Sequence, residues 1–250
     1  MIYGLYLSGQ GALVQQARQD IVANNLANAG TTAFKRDMLV AQSHLTYDAD
    51  QGRPSWLPGN LNRLPGGVTP AGTATDYSAG DFTHTEGALD LALAGKGFLK
   101  VQNGKNIFLT RDGQLELGPQ GHLVTRDQGY TVLNTAGQPI GPVNADLPLE
   151  ILSDGTINQG NDEFGKLAIV EPQSYDALTK AGKNLYSFSG KLVPVSDPHV
   201  KPGYVENSGV RPVGSMIELI SSSRALEANT NMIQYQDDSL GRLLASLPRK

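Results

Sequence analysis

The chain has 250 residues, no cysteine and a formal net charge of −4 at pH 7. That length holds one large domain or two modest ones. The missing thiols exclude disulfide scaffolds, Cys-based zinc sites and thiol nucleophiles, and the acidic balance, with no Lys/Arg run, excludes a broad nucleic-acid surface.

Residues 3–28 read as a helix, because small or apolar residues recur at alternating spacings of three and four: Tyr3, Leu7, Gln10, Val14, Ala17, Ile21, Asn24 and Asn28. Gly9 and Gly11 each weaken it by about 1 kcal/mol relative to alanine, so its first turns are expected to order on a partner. Asn24, Asn25 and Asn28 are poor helix formers but good caps and interhelical hydrogen bonders. Gly30 is the expected stop, and Phe34 the anchor of the mixed stretch that follows. The first residues lack a basic segment, and their apolar run breaks at Ser8, which argues against a cleaved secretory signal. No window approaches 18 apolar residues, so no membrane insertion is expected.

Residues 52–72 carry Gly52, Gly59, Gly66, Gly67 and Gly72 together with Pro54, Pro58, Pro65 and Pro70. Such a segment cannot sustain a helix and makes a poor central strand, which predicts a long loop or irregular arm. Trp56 within it is either a packing anchor or a partner contact. Residues 81–205 read as β. Phe98–Val101 and Ile107–Thr110 flank the Asn103-Gly104 hairpin signal, and turn signals recur every 8–12 residues or so, the pattern of an all-β barrel or sandwich. Residues 174–200 read mainly as loop, with a strand at Leu185–Phe188.

Pro212 suits the first turn of a last helix, which would run from Val213 to about Leu247 and span roughly 50 Å. The same alternating spacing picks out Met216, Leu219, Ser223, Leu226, Thr230, Ile233, Asp237, Leu240 and Leu244. Full burial of its apolar members would be worth about 9–18 kcal/mol as an upper bound. Left exposed, the seam would be an aggregation hazard, so it needs a partner. Ser223, Thr230 and Asp237 are either solvated or set the register between helices, together with Asn24 and Asn28. The expected fold is α+β: terminal heptad helices pairing as a coiled-coil layer, with a central all-β domain. The expected divisions are 1–40, 41–80, 81–205 and 206–250.

Chemistry is harder to find. His44, His84, His122 and His199 are never three or four apart, so they make no helical metal face. Gly9-Gln10-Gly11 and Gly95-Lys96-Gly97 lack the third glycine of a dinucleotide loop. The stretch 48–52 imitates a calcium loop, but its glycine comes one place early and no glutamate closes it. Asp81, Glu86, Asp90 and Asp112 stay open as a glycosidase pair, since such carboxylates come from distant strands. The few aromatics argue against sugar stacking. No catalytic, cofactor-binding or metal residue is assigned.

Three runs carry a family resemblance. Val22–Arg36 resembles the N-terminal Asn-Asn-Leu-Ala-Asn…Gly-Phe-Lys-Arg signature of flagellar basal-body rod and hook proteins. Asp90–Val101, Leu109–Gly113 and Gly121–Thr125 resemble that family's β domain, and Tyr204–Val210 with Ser223–Asn229 its C-terminal helix. The departures are Ala33 for the usual Gly, Gly209 for the usual Asn and Leu226 for the usual Tyr. The length suits the rod proteins of this family. Val210–Val213 followed by Met216 resembles the proximal-rod type, and Arg224–Asn229 the distal-rod type; the proximal type is favoured. The resemblance implies a non-enzymatic subunit exported by the flagellar type III apparatus without a cleaved signal. It implies assembly in the periplasm, with copies of itself and other rod proteins, into a helical tube that transmits torque around an export channel. The expected interface is Leu7, Val14, Ile21, Asn24, Asn25, Asn28, Phe34, Met216, Leu219, Leu226, Thr230, Ile233, Leu240 and Leu244. No cofactor, nucleic acid or membrane insertion is implied. A cell-wall glycosidase and a carbohydrate-binding or adhesin module are the competing classes.

Overall fold

The structure, a computed structural model, describes residues 2–44, 66–143, 147–160 and 162–246. Trp56 and the calcium-like stretch at 48–52 lie outside the described residues. The chain divides into two compact units. One comprises Met1–Asn28, Arg36–Asp76 and Val210–Lys250; the other comprises Ala29–Lys35 and Tyr77–Gly209. Helices lie at both ends of the chain and the middle is mostly β, an α+β architecture.

The first unit contains α1 (Ile2–Ala27), α2 (Pro212–Ser246) and an antiparallel ribbon of β1 (Asp37–His44) and β2 (Gly67–Thr75). Pro212 occupies the first helical position of α2, where its missing N–H costs nothing. A Cβ on Gly4 would lie 2.9 Å from the Gln236 side chain, and one on Gly11 2.9 Å from that of Asn229. Numbers rise along one helix as they fall along the other, so the helices run antiparallel. Each contact repeats after seven residues, which keeps it on one face of both helices.

The ribbon corrects the expectation of an irregular arm for residues 67–72, because Gly67–Thr75 is a strand; the part of that segment up to residue 65 lies outside the described residues. Val40 pairs with Gly72 and Ala41 with Pro70, so a bulge takes up Ala71. A two-stranded ribbon has two edges, and a proline there can turn its missing N–H outward without breaking the ladder. The sequence rule against central strands therefore did not apply. Gln10 of α1 is buried against Gly67, whose φ is +111°. A Cβ at that position would fall 1.5 Å from Gln10 Oε1, so both the backbone angle and the close approach require glycine.

In the second unit the turn-punctuated sequence becomes, among the described residues, a nine-stranded sheet with smaller sheets beside it. Phe98–Asn103 is shared by three partners: Asn106–Thr110, Thr131–Val132 and Ile169–Pro172. Its hairpin turns on Gly104-Lys105, one residue later than the Asn103-Gly104 reading. Gly104 takes φ +60° at the first central position, where glycine is at ease. Strands at Leu178–Gly182 and Leu192–Pro194 replace much of the loop expected over 174–200, and the expected Leu185–Phe188 strand is present. Consecutive residues of a strand face opposite sides of the sheet. Leu99 accordingly joins a large cluster with Leu91, Leu93, Leu115, Leu123 and Ile157, while Phe98 joins a second with Leu109, Leu178 and Tyr186.

Candidate assembly interface

The helix pair of the first unit is where most of the predicted interface residues fall. Along α2 the residues drawn in from solvent are Ser215, Leu219, Ser222, Leu226, Asn229, Ile233, Gln236 and Leu240, at spacings of four and three, together with Ala225. Ser222 is the fully buried one among the described residues of the helix, and its hydroxyl donates to the Leu219 carbonyl at 3.0 Å. Leu219, Leu226, Ile233 and Leu240 of the predicted seam are therefore on the packed face. The others are not: Met216, Ser223, Thr230, Asp237 and Leu244 are exposed, and for the first four the residue one place earlier is drawn in instead. The polar residues drawn in on that face are Ser215, Ser222, Asn229 and Gln236, whereas Ser223, Thr230 and Asp237 face solvent. Thr230 instead returns its hydroxyl to the Leu226 carbonyl at 2.9 Å within its own helix.

On α1, Leu7, Val14 and Ile21 are half-buried. The three asparagines have separate fates. Asn25 is buried and clamps β1 in both directions: its Nδ2 donates to the Asp37 carbonyl at 2.8 Å, and its Oδ1 accepts from the Asp37 N–H at 2.9 Å. Asn28 donates its side-chain amide to the Asn24 carbonyl at 2.9 Å, closing the last turn of the helix. Asn24 itself points to solvent. Phe34 belongs to the other unit, where it is 8% exposed and lies under the Lys180 ammonium, 4.5 Å from the ring centroid. It is an internal anchor there rather than an exposed contact.

Gly4 and Gly11 are points of close approach outside the predicted seam, although their separation of seven was a readable signal. Gly9, discounted on the same grounds as Gly11, meets nothing within 4 Å of its virtual Cβ. Large apolar side chains remain on the outer faces of both helices. On α2 they include Val213 (71% exposed), Ile217 (62%), Ile220 (55%) and Tyr235 (72%); on α1 they are Tyr3, Tyr6 and Leu13. No helix among the described residues is long and apolar enough to cross a membrane.

The carboxylates considered for hydrolysis are dispersed in role. Asp81 and Glu86 are exposed. Asp90 is buried, accepts from the Thr85 hydroxyl at 2.8 Å and pairs with Arg126 at 2.9 Å. Burial pushes the Asp112 carboxyl above its ordinary range, while its bond from the Gln114 N–H at 3.1 Å opposes the shift.

Residues 5–35 match the family model described as flagella basal body rod protein. Residues 92–159 match the flagellar hook protein FlgE/F/G D1 domain, and residues 201–247 the flagellar basal body rod FlgEFG protein C-terminal model. A flagellar basal-body rod protein FlgF from Caulobacter vibrioides is 33% identical over 234 residues, covering 92% of this chain and 91% of that protein. The chain belongs to the flagellar basal-body rod protein family. Rod proteins named FlgG are similar to it at nearly the same level: that of Buchnera aphidicola subsp. Schizaphis graminum at 31% over 261 residues, covering 97% and 99% of the two chains, and that of Bacillus subtilis at 28% over 261 residues, covering 98% of each. One departure of this rod protein from the signature gains a structural meaning. Ala33, in place of the usual glycine, has φ +55° and is buried. Glycine enters that left-handed region without the steric cost an L side chain meets.

Proposed function

We propose that the chain is a structural, non-catalytic subunit of the bacterial flagellar rod, of the proximal, FlgF-like type, with the distal FlgG-like type as the alternative. It would reach the periplasm through the flagellar type III apparatus without a cleaved signal. There it would assemble helically with copies of itself and other rod proteins, transmit torque and line the export channel. The observation that carries this reading is that α2 is apolar on two faces. Leu219, Leu226, Ile233 and Leu240 are drawn in, while Val213, Met216, Ile217 and Ile220 are uncovered. A helix of that kind belongs in the middle of a layer, since an exposed apolar stripe marks an interaction surface.

The outer stripe of α1 (Tyr3, Tyr6, Leu13) differs in sequence from that of α2. Copies joined stripe to stripe would meet through unlike surfaces, and unlike surfaces propagate into open helices rather than closed dimers. Met216, Thr230 and Leu244 are then contacts with neighbouring subunits, in a coiled-coil layer built between chains as well as within them. Exchanging Ile217 and Ile220 for aspartate is expected to abolish rod formation in cells while the purified chain stays folded. Basal bodies of normal rod length carrying that variant, seen by electron microscopy, would overturn the reading. Complementation of strains lacking either the FlgF-type or the FlgG-type subunit distinguishes the two assignments, with restored motility expected in the FlgF-type strain alone.

A further inference from the structure

The second unit contains a buried charge cluster made from three distant parts of the chain. Lys35 (1% exposed), Arg111 (4%) and Glu206 (2%) are all buried. The Lys35 ammonium donates to Glu206 Oε1 and, at 2.7 Å, to the Ser78 carbonyl. Gly80 N–H donates to the same Oε1 at 2.8 Å, and Arg111 Nη1 lies 3.5 Å from Glu206 Oε2. Arg111 is held independently: it donates to the Gly97 and Gly95 carbonyls at 3.0 and 2.9 Å, and its guanidinium stacks on Phe98. Around the cluster, Ala33 N–H donates to the Glu206 carbonyl at 2.8 Å, and Gly209 N–H to the Phe34 carbonyl at 2.9 Å. The short segment Ala29–Lys35 is thus seated on residues near the far end of the β body.

The segment also accepts from Asn184 Nδ2 at the Thr32 carbonyl (2.5 Å) and from Lys180 Nζ at the Lys35 carbonyl (2.6 Å). The geometry points to a closure latch: the segment Ala29–Lys35 locks onto these partners only once Lys35 can pair with the Glu206 carboxylate, as a late step after the β sheet has formed. A buried ammonium is tolerated when a well-placed anion and hydrogen bonds compensate its lost hydration; without the anion, the group stays in water. Glu206 lies 171 residues after Lys35, so a chain made from its N-terminus carries Lys35 long before its counter-ion exists. The core strands need no such delay. Phe98–Asn103 and Asn106–Thr110 pair across a two-residue turn, and local pairings form before long-range ones. The charge count sharpens the inference. With Glu206 neutralised, two buried cations face one another; with Lys35 replaced by an apolar residue as well, one cation remains, and it keeps its carbonyl partners.

Hydrogen exchange on the full-length chain, read by mass spectrometry, tests the latch. Glu206→Gln is expected to speed exchange at least tenfold in peptides covering 29–36 and 204–209, while a peptide covering 98–103 changes less than twofold. Adding Lys35→Met to Glu206→Gln is expected to bring 29–36 back to within about threefold of the parent. In pulse-labelled refolding of the parent, 98–103 should gain protection before 29–36. Unchanged exchange in Glu206→Gln, no recovery in the double variant, or protection of 29–36 ahead of 98–103 would each overturn the proposal. If Glu206→Gln does not fold at all, the double variant decides: protection of 29–36 supports the latch, and a double variant that also fails to fold overturns it.

Discussion

The two units use their apolar residues in opposite ways. In the β body Leu91, Leu93, Leu99, Val101, Leu109 and Leu115 are at most 1% exposed, and buried Lys35, Glu206 and Asp90 have ion-pair partners. In the helical unit the inward face of α2 alternates leucine or isoleucine with serine, asparagine and glutamine, while Val213, Ile217 and Tyr235 face solvent. A β sheet with clusters on both faces can satisfy its apolar surface within one chain. A pair of long antiparallel helices cannot, because each helix covers only one side of the other. Among the described residues, the body leaves only scattered apolar side chains such as Val193 uncovered, whereas the helices carry a stripe of them.

Mutations should divide along that line. The largest loss is expected for Leu99→Ala, about 2–5 kcal/mol from lost transfer energy plus a cavity, read as a drop in the urea midpoint of the β body. Gly67→Ala should cost the helical unit about 1–3 kcal/mol, because it forces an L residue to a strained positive φ against Gln10. Gly9→Ala, at a position with open space, should instead gain about 1 kcal/mol of helix stability. Circular dichroism at 222 nm during thermal unfolding separates these two. The smallest change is expected for Ile217→Asp in the isolated chain, within about 0.5 kcal/mol, as for other exposed positions. A loss there as large as that of Leu99→Ala would erase the contrast, since it would mean that the outer stripe is already packed within one chain.

Much of the helical unit was legible. Spacing placed both helices to within a few residues, and Pro212 marked the start of α2 correctly. Leu219, Leu226, Ile233 and Leu240 were found because an apolar residue every seven positions is visible in one dimension. The second seam position was not, because Ser215, Ser222, Asn229 and Gln236 compete on equal terms with Met216, Ser223, Thr230 and Asp237. Apolarity favoured Met216; the actual facing is set by how closely α1 approaches at Gly4 and Gly11. The strand at Gly67–Thr75 was hidden for a different reason. Proline and glycine count against a central strand, but nothing local says that a ribbon has only edges. The roles of Asn24, Asn25 and Asn28 were likewise undecided until Asp37 was placed beside Asn25.

The sequence by itself determined the order of elements, the family and the existence of two long helices with a seven-residue repeat, because periodicity and turn chemistry are local. Only the tertiary structure decided which face of α2 turns inward, that Phe34 and Lys35 are buried in the β body, and that Glu206 is the counter-ion of Lys35. Those outcomes depend on groups up to 171 residues apart. Burying a charge is a question of what else is buried beside it, and no run of neighbouring residues carries that information.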